Sequence, residues 1–329
     1  MPADHLTTAH QATPACTPPT TMAAAARALL TGRPLPETAA AFGIATQELT
    51  DAADVYHAAG LAALQDHATR TWHQVRVLFT DWHHAEHIAA TRLGPMLDRL
   101  VEAGAASGWW FLRKHPHWRL RFADPDPAMI ERALDDLVAA GIVAGWRAGV
   151  YEAETFAFGG PAAMRIVHEL FCADSHGTLD YVRHPNPTLG RRELSLVLLG
   201  TLLHHAGLDW FETGDVFAKV AQIRPITDIE PDRLAPLTSK TRALIATAHE
   251  TGAQLFGSDG TVPFAAPWHV AHTAAGQQLR RAADTGNLAR GLRTVLSHIV
   301  IFHWNRLGLT ASTQGVLARA AVEAFLPRS

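Results

Sequence analysis

The sequence predicts an α+β fold. It comprises a ferredoxin-like antiparallel sheet unit in the order β-α-β-β-α-β, a largely helical C-terminal half and a small helical N-terminal segment. Three observations carry this expectation. Apolar and polar residues alternate with strand period in short stretches between Trp72 and Phe156. Two stretches of helical spacing interrupt them. From Pro161 onward nearly every stretch has helical spacing.

Composition sets the outer bounds. The chain has 329 residues, 48% hydrophobic and 18% charged. That suffices for a sizeable core and argues against a disordered chain. A net charge of -3 gives no overall pull toward nucleic acid. Cys16 and Cys172 form no C-x-x-C pair, so neither a disulfide framework nor a cysteine-rich zinc site is expected. No apolar run reaches membrane-span length, and the N-terminus lacks the basic-then-apolar order of a secretion signal. A cytoplasmic protein without membrane attachment is the expectation.

Taken in order, residues 1–21 are rich in proline, threonine and alanine and read as a disordered lead. Residues 22–66 are alanine-rich, with breaks at Thr31-Gly32 and Phe42-Gly43 and a helix start at Thr46. Three short helices of this kind resemble a helix-turn-helix. Arg33 is the only fixed cation between Arg27 and Arg70, which favours a packing or peptide-docking module over DNA binding.

The sheet unit spans 70–158 of an expected domain at 70–326. In Trp72–Phe79, Val75, Val77 and Phe79 share one face. Ala85–Gly104 reads as a helix. "WWFLRK" and "HWRLRF" read as two strands joined at Pro116. Asp126 and Pro127 stand as N-cap and first-turn proline of a helix reaching Gly141. Val143–Phe156 reads as the last strand. The helical part follows over 160–326.

Several groups bear chemistry. Arg119 and Arg121 share one strand face, with Trp118, Leu120 and Phe122 on the other. Arg113 and Lys114 come from the partner strand. Such arginines grip carboxylates or form a solvated face. Glu152 and Glu154 are expected on one face of the last strand, opposite Tyr151, as partners for the arginines or as a general base. Asp174-Ser175 reads as a helix end, more in keeping with a cap than a nucleophile. In "RTVLSHIVIFHWNRLGL", His303 falls on an apolar stripe with Leu296, Ile299, Val300 and Leu307. Ser297 precedes it, and Asn305 and Arg306 follow. His83 and His87 have the spacing of two metal ligands on a helix, but nothing suggests a third, so no metal is expected.

Three stretches taken together resemble a known family: "WWFLRKHPHWRLRF", "YEAETFAFGGPAAMRIVHELFCADS" and "HIVIFHWNRLGL". They are similar to the C-terminal elimination domain of lantibiotic dehydratases, and more closely to its stand-alone relatives in thiopeptide biosynthesis. The resemblance covers about 70–325. Lys114 and Trp118 fit the pyridine-forming branch. Elimination domains carry an arginine where this chain has Ala157, and a histidine where it has Ile301.

The resemblance implies a formal [4+2] cycloaddition of two dehydroalanines in an azole-containing precursor peptide, with loss of water and leader peptide and with no cofactor. Under it, His303 and Ser297, then Glu154 and Tyr151, are expected to transfer protons. Arg113, Arg119, Arg121, Trp118, Asn305 and Arg306 are expected to hold the peptide, and other enzymes of the pathway are possible partners. Glutamyl elimination and a non-catalytic peptide scaffold are the alternatives, and a DNA regulator is a distant third.

Overall fold

The computed structural model describes residues 17–69, 72–226, 230–250 and 252–326. Of the expected disordered lead at 1–21, residues 1–16 lie outside them, and the first helix begins at Pro19, inside the expected lead, which corrects that boundary. The chain divides into two units, Met1–Ala68 and Thr69–Ser329.

The first unit holds α1 (Pro19–Leu30), α2 (Leu35–Phe42) and α3, which begins at Thr46 and reaches Thr69. Gly43 ends α2 with φ 66°, the left-handed conformation a glycine supplies without strain. Ala25, Ala39, Ile44 and Leu49 form a small core of mostly small side chains.

The second unit opens with the sheet. Its elements are β1 (Trp72–Leu78), α4 (Ala85–Ile88) continuing through a π-helical turn (Ala89–Leu93) into α5 (Gly94–Glu102), β2 (Gly108–Lys114), β3 (His117–Ala123), α6 (Pro127–Ala139) and β4 (Gly145–Gly149). The strand order is β2-β3-β1-β4, antiparallel throughout. This is the expected split βαβ topology. Asp126 caps α6 by accepting a hydrogen bond from the Met129 N–H, with Pro127 in the first turn.

Alternation decides the two sheet faces. Val75, Val77, Trp118, Leu120 and Phe122 pack with α5 and α6 on one side. Gln74, Arg119 and Arg121 face the other. Both helices therefore lie on one face, as the pattern predicts. Full burial of each such aromatic contributes roughly 1.5–3 kcal/mol.

β4 differs from expectation. It ends at Gly149 and does not continue to Phe156. The chain leaves the sheet at Val150, which is 80% exposed, and turns back through bonds from Phe158 N–H to the Glu154 carbonyl and from Gly160 N–H to the Thr155 carbonyl. Glu152 and Glu154 therefore lie in an exposed loop rather than on a strand.

The helical half contains α7 (Pro161–Arg183), α8 (Arg191–His205), α9 (Trp210–Ile223), α10 (Pro231–Glu250), α11 (Gly252–Phe256), α12 (Ala266–Asp284), α13 (Leu292–Arg306) and α14 (Ala311–Phe325). α9 went unread in the sequence, although Asp209 and Glu212 form a capping box at its start. α8 is the central helix, with every residue from Leu194 to Leu203 buried. A helix apolar all round belongs inside a core. Gly200 lets α10 approach: a Cβ there would sit 3.1 Å from the Ile245 carbonyl oxygen. α7 runs unbroken through Asp174-Ser175, so the expected helix end there is corrected. Ser175 instead accepts from the Phe111 backbone N–H at 3.1 Å and satisfies part of the β2 edge.

Candidate functional site

Three groups of polar side chains stand out, and they differ in access.

The first is sealed inside the helical half. α7 supplies Asp174, α8 Ser195, α12 Trp268 and His272, and α13 His303, Trp304 and Arg306. Asp174 accepts from His303 Nδ1 at 2.6 Å, Trp268 Nε1 at 2.7 Å and Arg306 Nε at 2.6 Å. His303 Nε2 lies 3.1 Å from Ser195 Oγ, which accepts from Trp304 Nε1 at 2.7 Å. A protonated Nδ1 facing the carboxylate leaves Nε2 to accept from the serine hydroxyl. Asp174, His303 and Ser195 thus have the connectivity of a hydrolytic triad. Their exposures are 1%, 1% and 0%, so the chain of bonds joins helices and meets no substrate in this conformation. Burial works to raise the Asp174 carboxyl, but the facing His303 and Arg306 outweigh it and hold it well below the usual range.

The second group sits where the outer sheet face meets α7. Arg121 is 2% exposed. It donates to Gln74 Oε1 at 2.9 Å, and its guanidinium lies 4.1 Å from the Trp110 ring centroid and 4.5 Å from that of Tyr151. Burial lowers it to about 10. The Tyr151 hydroxyl is 2.7 Å from His168 Nε2. Burial raises the Tyr151 phenol, and burial and then Arg121 lower His168 to about 4. At neutral pH this is an uncharged pair joined by one hydrogen bond, whose donor is set by the imidazole tautomer. Tyr151 is half-buried and Glu154 exposed; the glutamate's charge acts on both Tyr151 and Arg121.

The third group lines a half-open cleft of about 360 Å³ between the start of α4, the β2–β3 hairpin and the end of α13. Arg113, Trp118, Asn305 and Glu86 line it. Glu86 takes Arg113 and, at 2.9 and 3.0 Å, Arg191. Burial opposes the Glu86 charge, and the two arginines still hold its carboxyl below the ordinary range. Arg113 stacks over the Trp118 ring at 4.7 Å.

The sequence candidates therefore scatter. Arg113, Trp118 and Asn305 meet at the cleft. Tyr151, Arg121 and Glu154 form the second group. His303 and Arg306 lie in the sealed network. Ser297 is fully buried and donates to the Thr294 carbonyl at 2.7 Å, apart from His303's partners. Arg113 is not on the Arg119 and Arg121 face: it pairs across with Trp118, toward the helices. Arg119 is half-buried on the outer face.

Sequence reasoning passed over His168, Asp174's true role, Ser195 and His298. His298 is half-buried on α13, one turn before Phe302. Its Nδ1–H donates to the Thr294 carbonyl at 2.8 Å, so a neutral ring keeps Nε2 free to accept. Its place in "SHIVIFH", five residues before His303, was the available signal.

Asp174, His272 and His303 are also the described residues whose ligand atoms cluster, within 4.8 Å of one another. The carboxylate already accepts three hydrogen bonds, one from Arg306, and a cation at that distance opposes a metal ion. The set fits a hydrogen-bonded network rather than a metal centre. His83 lies in the turn ahead of α4 and not on the helix with His87, which corrects the expected ligand spacing.

A ferredoxin-like sheet fused to an all-helical half, with arginine-rich sites at the junction, defines the class. Residues 72–325 match the family described as "Lantibiotic biosynthesis dehydratase C-term", and the chain belongs to it. Among solved structures it is similar to the tRNA dependent lantibiotic dehydratase MibB from Microbispora sp. 107891, with TM-score 0.57 and 18% identity. That match covers 77% of this chain and 28% of MibB, so the chain spans little more than a quarter of that protein. It is also similar to TsrL, with TM-score 0.52 and 20% identity, over 79% of this chain and 100% of TsrL. A search of curated proteins finds no match. Among the described residues no helix is long and apolar enough to cross a membrane.

Proposed function

We propose that this protein acts on a ribosomally made precursor peptide and closes a central pyridine by formal [4+2] cycloaddition of two dehydroalanines. One dehydroalanine and its preceding amide, as the iminol, supply the four-atom azadiene; the other supplies two carbons. New bonds join the two β-carbons, and the iminol carbon to the second α-carbon. Loss of water and then of the leader as its amide leaves the aromatic ring, and no oxidant is required.

The observation that carries this reading concerns Ala157 and Ile301. The resemblance places the arginine and histidine of glutamate-eliminating relatives at these positions. Ala157 is half-buried in the core and Ile301 is 6% exposed on α13, and neither offers a cation or a proton. The elimination chemistry lacks its groups, while proton donors and acceptors remain nearby in Tyr151, His168 and His298.

The largest task is to bring two remote alkenes together, which can supply roughly 7–11 kcal/mol of the barrier. The junction beside Arg121, Tyr151 and His168 suits that purpose, and the cleft lined by Arg113, Trp118 and Asn305 on the other side of the sheet holds a further stretch of the peptide. Tyr151 with His168, aided by Glu154, shuttles the iminol and leaving-group protons, and His298 Nε2 is a second acceptor. His303, Ser297 and Arg306 act from the interior as positioning residues.

Incubation with a linear precursor bearing azoles and dehydroalanines tests this by mass spectrometry. The expected products are a macrocycle lighter by water and leader, and free leader amide. Glutamate loss from a glutamylated precursor, without leader release, would establish elimination instead. An unchanged precursor whose conversion by other enzymes improves would establish a scaffold.

A further inference from the structure

Three arginines on adjacent strands face the same way across the outer side of the sheet. The register sets Arg119 of β3 opposite Arg76 of β1, and Arg76 opposite Arg147 of β4. With strands about 4.8 Å apart, the row spans about 10 Å. Like charges directly opposite repel. Among the described residues none of the three forms an ion pair, whereas Arg113 and Arg191 share Glu86 and Arg306 has Asp174.

The row ends at an open rim. β4 is the last strand of the sheet and pairs on one side only, with β1. The opposite edge, β2, is partly covered by Ser175 of α7. Gly145 and Gly149 flank Arg147 on this face and leave the strand bare. A Cβ at Gly149 would lie 3.4 Å from Arg76 Nε and 4.0 Å from its Cζ, so the Arg76 guanidinium rests across β4. Arg76 Nε is buried and has no acceptor. Arg147 and Val150 are exposed beside it.

An unpaired strand edge offers main-chain hydrogen bonds to an extended chain, and alternate side chains of that chain fall on one face. Guanidinium groups without partners on that face select carboxylates. We propose that the free edge of β4 docks an extended acidic segment of the peptide substrate, which adds as a strand and sets its carboxylates toward Arg147 and toward Arg76, whose guanidinium reaches across β4. This rests on the reading that the substrate is a peptide, and it separates the recognition site from the cleft lined by Arg113. The other residues on this stretch of the face are Leu78, His117, Gln74 and the two glycines. None is a tryptophan, tyrosine or phenylalanine, the larger rings on which successive bases of a nucleic acid strand would stack.

The test uses the full chain and fluorescence anisotropy at low salt. The probes are a labelled ten-residue peptide of alternating Glu and Thr, its Gln counterpart, its form N-methylated at every Thr amide, and a labelled single-stranded RNA. Tight binding of the acidic peptide alone is expected. Arg147→Gln and Arg76→Gln should each weaken it about 5-fold, the scale of one exposed ion pair near 1 kcal/mol. Unchanged affinity in Arg147→Gln, equal binding of the N-methylated peptide, or preference for RNA would overturn the proposal. Ring formation is read in parallel on the precursor. Arginine-dependent binding without any ring formation refutes the cyclase reading and leaves the docking site standing; ring formation without such binding does the reverse.

Discussion

The Asp174 carboxylate and the His303 imidazole face each other at 2.6 Å with both side chains 1% exposed, joined across 129 residues of sequence. The contact ties α7 to α13, and Arg306 adds a second bond from α13 to the same carboxylate. His303, expected to transfer protons, lies in a buried bond network that joins α7, α8 and α13.

Asp174→Asn is therefore expected to be among the most destabilising single changes in the second unit. It leaves the Arg306 cation buried without a counter-ion, a loss of about 3–5 kcal/mol. Urea denaturation should show a lower midpoint with an unchanged slope. A midpoint equal to the parent's would refute the structural role of the network.

Tyr151→Phe is expected to keep the fold and lose turnover. The ring still packs edge-on against Trp72 and Trp110, at 5.9 Å in each case, while the bond to His168 is gone. A loss of about 10²–10⁴ in kcat is the scale for one positioned proton donor. Single-turnover rates on the linear precursor measure it, and thermal melting checks that the fold persists.

His298→Asn keeps a donor toward the Thr294 carbonyl but removes the Nε2 acceptor. A kcat decrease with little change in KM is expected. An effect confined to KM would assign His298 to binding.

Acid should destabilise the second unit in a defined window. His168, facing Tyr151 and Arg121, and His272, facing Asp174, His303 and His269, are both lowered to about 4, chiefly by burial. Between about pH 6.5 and 4 the unfolded chain binds protons that the folded protein refuses, so stability falls as pH drops through that range and levels off below it. Each histidine contributes on the order of 1–3 kcal/mol. His168→Gln should flatten the slope of stability against pH in urea titrations; an unaltered slope would contradict the assignment.

The sheet was legible because alternation and caps are local. Val75 and Val77, the aromatic face of "HWRLRF", and Asp126-Pro127 each announce their own element. The overrun of β4 has a physical cause. Apolar and polar residues keep alternating past Gly149, but the chain has left the ladder, and period alone cannot report where pairing stops. Asp174 was misread for the complementary reason. An acid beside a serine looks like a cap when its partners, Trp268, His303 and Arg306, are 94 to 132 residues away. The arginine-bearing sheet face was half legible. Strand parity placed Arg119 and Arg121 together, yet only the fold shows that Arg121 is enclosed by rings and that Arg76 and Arg147 complete the outer row.

The most direct measurement of the central claim is mass spectrometry of the purified protein with a linear precursor carrying azoles and two dehydroalanines. A pyridine macrocycle and a stoichiometric amount of free leader amide are expected, both lost in Tyr151→Phe. An intact precursor, or glutamate release with the leader still attached, would contradict that claim.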